Sequence, residues 1–262
     1  MWQVDLELIG IALAPIIFLA WFIYTRDRYE REPRKLIIKT FFLGAFLVVP
    51  VVIAELLGSL FLPPSNDPLA LFLHFLIVVS LVEESSKYLA VRISVYNSRE
   101  FNELMDGLVY GAIAGLGFAA PENLLYVLSQ GATLGIIRAI LSVPGHALWG
   151  SIIGYGLARR KLSSARTSGL IGLCVAVIMH ATFDYGLVGT SPLVGIMIAG
   201  GVVVVGWIVF FRLRRVALAT SPFRPEARMI QPPVVATKYC MQCGALIFAE
   251  DRFCRSCGAG QF

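Results

Sequence analysis

The stretch LALFLHFLIVVSLVEESSKYLAVRISV, residues 69–95, carries Glu83, Glu84 and Lys87 inside an apolar run. Its length suits a membrane crossing, which takes about 20 residues. A charged side chain at the centre of such a helix costs roughly 2.5–3.5 kcal/mol, so two adjacent carboxylates require compensation. At about 100° per residue, Lys87 lies one turn below both glutamates and can pair with either. One ammonium cannot neutralise two carboxylates, so the second is expected to be protonated or to find another partner.

Three further apolar stretches carry reactive residues. DGLVYGAIAGLGFAAPENLLYVL (106–128) contains Glu122 beside Pro121 and Asn123, LSVPGHALWGSIIGYG (141–156) contains His146, and MHATFDYG (179–186) places His180 and Asp184 at i and i+4. Gly107, Gly111 and Gly115 recur every fourth residue, a pattern that lets a neighbouring backbone approach. Glu122 falls within about 40° of that glycine face. Pro121 is expected to kink or open the helix beside Glu122, with Asn123 satisfying the freed groups or lining a cavity. Pro144 and Gly145 are expected to break the helix immediately before His146. Asp184 is placed to fix the imidazole of His180. Counted along their spans, the two histidines fall at about the same depth, near mid-bilayer, with the glutamates close by.

Such a set suits hydrolysis within the membrane. A glutamate takes a proton from water, and a neighbouring imidazole holds that water or protonates the leaving group. No serine or cysteine has a base beside it. Two histidines and a glutamate could also hold zinc with an open position, but the paired HExxH spacing is missing; a metal-free, glutamate-activated water is the reading preferred. Ion pairs that merely glue helices together are the plainer alternative, as is a non-enzymatic transport, binding or scaffold protein whose buried carboxylates relay protons or bind a cation. Glu55 reads as a structural or snorkelling acid, His74 as a hydrogen-bonded packing residue, and Arg138 as an anchor or the partner of an acid.

The elements that must position these residues are transmembrane helices. With 57% hydrophobic and 15% charged residues and a mean hydropathy of +0.76, the chain cannot be a soluble domain. The expected class is an all-α polytopic membrane protein with seven spans, near 7–24, 36–61, 69–93, 104–128, 134–158, 168–188 and 191–211. The first span lacks a basic flank and reads as a retained helix rather than a cleaved signal. Lysine and arginine gather at alternate connections (26–39, 92–99, 159–166, and from 212 onward), which puts the N-terminus outside and the C-terminus in the cytoplasm. The net charge of +5 matches that bias and anionic lipid, so no nucleic-acid partner is expected.

Residues 1–215 form the expected transmembrane domain, 216–239 a proline-rich linker and 240–262 a small module. In CMQCGALIFAEDRFCRSCG, Cys240, Cys243, Cys254 and Cys257 make two CxxC knuckles, each followed by glycine. Four thiolates so spaced close a tetrahedral zinc site, and a zinc ribbon is expected, with structural zinc as cofactor and a cytoplasmic protein as possible partner. Disulfides are the alternative, disfavoured in a reducing compartment.

EESSK, GFAAPEN, PGHALWG and HATFDYG, with the upstream YEREP (29–33), resemble the motifs of the PrsW family of intramembrane proteases, which is related more remotely to the CAAX-prenyl-protease and bacteriocin-processing membrane proteins. The resemblance covers about residues 26–190. It implies a helical-bundle peptidase in a bacterial or archaeal membrane, cutting membrane-protein substrates of the anti-sigma-factor kind. It further implies that Glu83 and Glu84 activate water and that Glu122, His146 and His180 complete the site. Asp184 stands where relatives carry Asn or Asp.

Overall fold

A computed structural model describes residues 6–163, 165–225, 236–248, 253–254 and 256–260. Among the described residues, seven helical stretches are long and apolar enough to cross a membrane. In chain order they are α1 (Leu6–Tyr24), α2 (Arg34–Phe61), a third span built of α3 (Pro68–Leu73), a π-helical segment (His74–Ser80) and α4 (Leu81–Ser94), then α5 (Leu104–Gln130), a fifth span of α6 (Ala132–Ile140) and α7 (Ser142–Leu162), α8 (Ser168–Gly189) and α9 (Pro192–Thr220). Large apolar side chains such as Phe46, Phe61 and Leu193 point outward, as lipid-facing residues do.

The least apolar of the seven spans, α5, is the most buried. A helix enclosed by others needs small residues rather than greasy ones, because without water the association rests on close packing. Added Cβ atoms at Gly107, Gly111 and Gly115 would collide with the carbonyls of Gly154, Gly150 and His146 on α7, so the two backbones touch along this stripe. The four-residue glycine spacing thus delivers α7, and His146 with it, onto α5.

At one end of the bundle the basic residues are tied to neighbouring chain ends. Lys39 donates to the Ser94 carbonyl, Lys161 to those of Ser98 and Phe101, and Arg214 to that of Arg26. The helix reaching Thr220 runs past the expected boundary at 211 and into the expected linker.

The chain divides into two compact units, residues 1–221 and 222–262. In the second, β1 (Ala236–Tyr239) pairs antiparallel with β2 (Leu246–Phe248), so strand structure begins before the first cysteine. Its two knuckles are near copies: Gly244 N–H donates to Cys240 and Gly258 N–H to Cys254, with both glycines at positive φ (72° and 75°). The sulfur separations are 3.7 Å for Cys240–Cys257 and 3.6 Å for Cys243–Cys254. A disulfide needs about 2.05 Å, whereas thiolates about 2.3 Å from a tetrahedral metal stand about 3.8 Å apart. The cluster therefore fits a metal.

Candidate active site

Glu83, Glu122, His146, His180 and Asp184 line one cavity of about 600 Å³, enclosed by α2, the π segment, α4, α5, α6, α7 and α8. The two imidazoles meet edge to face with ring centres 5.4 Å apart, as their matched depths require.

Lys87 holds the centre. Its ammonium donates to Glu84 Oε1 at 2.6 Å and to Glu83 Oε2 at 3.4 Å, so it pairs with both carboxylates. It also lies 2.8 Å from Nδ1 of His146. An ammonium only donates, so Nδ1 accepts and the ring proton sits on Nε2. That Nε2 stands 3.0 Å from Glu122 Oε2.

His180 is held differently. Its Nδ1 donates to Glu84 Oε1 at 2.8 Å and its Nε2 faces Asp184 Oδ2 at 3.2 Å. One imidazole lies between an ammonium and a carboxylate, the other between two carboxylates, so the two cannot serve the same purpose. Glu84 is wholly buried, shares Oε1 with Lys87 and His180, and does not line the cavity. Glu83 does line it, and its Oε2 stays 3.9 Å from either histidine. The family resemblance implies water activation for both glutamates; of the two, Glu83 lines the cavity and Glu84 does not.

Several local expectations are corrected. The chain breaks at Leu141, not immediately before His146, because Gly145 N–H already donates to the Leu141 carbonyl. Pro144 falls in the first turn of α7, where a missing N–H has no intrahelical partner to lose. α5 continues as helix through Pro121, so the helix does not open there. Asn123 neither serves freed backbone nor lines the cavity: it donates to the Ala12 carbonyl at 2.8 Å and accepts from Arg138 Nε at 2.9 Å, fastening α1 and α6 to α5. Arg138 pairs with Glu122 Oε1 at 2.9 Å, and Nδ1 of His74 meets the Leu62 carbonyl at 2.7 Å, as expected.

Three contributors were missed. Glu55 lines the cavity from α2 instead of serving the membrane boundary. Trp149 stacks on His180, centroids 4.3 Å apart and planes 20° apart; its place three residues after His146 was the available signal. The π segment ends three residues before Glu83, with Leu81 N–H bonded five residues back to the Leu76 carbonyl. Nothing in HFLIVVS announces it, although π turns gather at functional sites.

Donor atoms of Glu83, Glu122 and His146 lie within 4.8 Å of one another, as do those of Glu83, Glu84 and His180. Glu122 Oε2 is buried, with Nε2 of His146 beside it at 3.0 Å. Carboxylates with an imidazole at this spacing fit a divalent ion with an open position.

A multi-span helical bundle whose interior cavity holds carboxylates and imidazoles defines a membrane-embedded hydrolase. Residues 32–213 match the family described as "PrsW family intramembrane metalloprotease", and the chain belongs to this family of intramembrane proteases. It is similar to Protease PrsW of Bacillus subtilis (strain 168), 35% identical over 187 residues covering 70% of this chain and 84% of the relative. The Protease PrsW of Clostridioides difficile (strain 630) is 31% identical over 188 residues, covering 69% and 79%. That of Geobacillus kaustophilus (strain HTA426) is 31% identical over 230 residues, covering 87% and 97%. No solved structure matches the chain.

Proposed function

We propose that the chain hydrolyses peptide bonds of membrane-protein substrates, of the anti-sigma-factor kind, with Glu83 as the base that takes a proton from water. The supporting observation is that Glu83 is the one member of the Glu83–Glu84 pair that opens onto the cavity holding both histidines. The proton it receives returns to the departing amine nitrogen, while His146 Nε2–H donates to the oxygen that becomes negative. Glu84 and Lys87 act as positioning residues: Lys87 fixes the tautomer of His146, and Glu84 with Asp184 fixes His180. Arg138 holds Glu122 in place.

A divalent ion, zinc by its donor set, would be held by Glu83, Glu122 and His146 only where it replaces the Nε2 proton of His146, as an alternative to the donor role just given; there it would make a bound water more acidic. In the second unit, zinc on Cys240, Cys243, Cys254 and Cys257 would hold the ribbon together, offering a surface for a cytoplasmic protein partner. The clustering of basic ends supports the orientation with the N-terminus outside and the C-terminus in the cytoplasm. Family membership weighs against the transporter or scaffold reading.

The test is cleavage of a co-expressed membrane substrate by the full chain. Glu83→Gln, present in membranes at the parent's level, is expected to lose at least about 100-fold in cleavage rate. Cleavage at the parent's rate would reject Glu83 as the base.

A further inference from the structure

A second cluster of buried acids lies at the other end of α5, about 24 Å from Glu122 at 1.5 Å per residue. One oxygen each of Asp27, Glu32 and Asp106 gather within 4.8 Å of one another. Asp27 and Glu32 come from the loop between α1 and α2, and Glu32 is the second acid of YEREP, a motif with no place at the active site; Asp106 sits in the first turn of α5. The three residues are 2%, 3% and 0% exposed, so they are not a solvated acidic face.

Each aspartate is anchored through one oxygen. Asp27 Oδ1 accepts from Tyr29 N–H at 3.3 Å, and Asp106 Oδ2 from the N–H groups of Asn102 and Glu103 at 2.6 and 2.8 Å. The second oxygen of Asp27, Oδ2, is buried with no hydrogen-bond partner among the described residues, while Glu32 lies against both Asp106 and the hydroxyl of fully buried Tyr110 one turn along α5. Among the described residues, no lysine, arginine or histidine forms an ion pair with any of the three acids. Contrast the active site, where Lys87 and Arg138 answer the glutamates. Three carboxyl groups withdrawn from water without a counter-ion are costly, and a bound cation is a direct remedy.

We propose that Asp27, Glu32 and Asp106 form a second cation site, which takes a hard divalent ion and pins the loop between α1 and α2 to the start of α5. Oxygen-only donors select Mg²⁺, Mn²⁺ or Ca²⁺ over the softer metals that imidazole and thiolate prefer. Anchoring one oxygen of each aspartate through the backbone leaves the other oriented for a ligand.

Mn²⁺ is the probe, titrated by electron paramagnetic resonance into the full chain in detergent. The ribbon is preloaded with zinc, and His146→Ala combined with His180→Ala removes both imidazole donors of the cavity. The expected result is tight Mn²⁺ uptake that Mg²⁺ or Ca²⁺ displaces, weakened at least tenfold by Asp27→Asn and by Glu32→Gln. Asp27→Asn lies in a loop and keeps the size of the side chain, and the melting temperature without Mn²⁺ checks that it folds. Absence of Mn²⁺ uptake by the parent, or uptake indifferent to both variants, would overturn the proposal. A rise in melting temperature on Asp27→Asn with no uptake by the parent would show instead that the acids share protons.

Discussion

Lys87 on α4 reaches Nδ1 of His146 on α7 across 2.8 Å while holding Glu84 at 2.6 Å. A single wholly buried ammonium therefore sets the tautomer of one histidine and the position of the carboxylate that holds the other. Lys87→Met keeps the length of the side chain and removes the charge. Breaking a buried ion pair from one side costs about 3–5 kcal/mol, so the variant is expected to melt lower in detergent and to lose cleavage. Lys87→Arg is expected to restore little activity, since a planar fork cannot occupy the place of a compact ammonium. Full activity in Lys87→Met would show that His146 needs no fixed tautomer.

The glycine stripe makes a second prediction, because it is the surface that brings His146 to α5. Gly111→Ala places a Cβ against the Gly150 carbonyl, a backbone atom that cannot swing aside. Overpacking of this kind costs about 1–3 kcal/mol. Gly201→Ala meets nothing within 4 Å, and helix propensity favours alanine by up to about 1 kcal/mol. Thermal unfolding should separate the pair, with Gly111→Ala melting lower than the parent and Gly201→Ala at or above it.

How far the sequence could be read follows from the same physics. Seven spans were legible because a bilayer demands about 20 apolar residues whatever the tertiary structure. The meeting of His146 with His180 was legible because depth along a helix is set by residue count. Helix ends were less so: α9 continues to Thr220 through arginines that leave the apolar pattern but not the helix. What a side chain faces was hidden, because it depends on helices distant in sequence. Glu55 reads as a lone acid until α2 is packed beside the cavity, and Asn123 reads as a loose polar group until the Ala12 carbonyl, 111 residues away, is placed against it. The family motifs name residues that the packing brings together, but only packing separates Glu83, which lines the cavity, from Glu84, which does not.

The cysteine module should depend on metal for its fold. Its described apolar cluster is Cys240, Ile247 and Cys254 with Ala245 and Ala259 against them, too little to offset the entropy of ordering the chain. A chelator is expected to release zinc and collapse the amide chemical-shift dispersion of this module, and re-addition of zinc to restore it. Cys240→Ser should weaken retention of the ion strongly, since the metal's affinity is itself the folding free energy. Unchanged spectra after zinc removal would show a module that folds on its own.

Trp149 offers a test of whether a residue that does not line the cavity can govern the chemistry there. Its ring covers His180 at 4.3 Å, and it also stands edge-on to His146 at 5.5 Å. Aromatic pairs of this kind contribute about 0.5–1.5 kcal/mol beyond burial. Trp149→Phe keeps a flat apolar face against the imidazole, whereas Trp149→Ala leaves a cavity costing about 3–5 kcal/mol and frees His180 to leave its place between Glu84 and Asp184. The positioning role predicts that kcat falls at least tenfold in Trp149→Ala while KM changes little, with most of kcat recovered in Trp149→Phe. A purely structural role would instead lower the melting temperature and the yield of folded enzyme, and leave the kcat of the folded fraction at the parent's value.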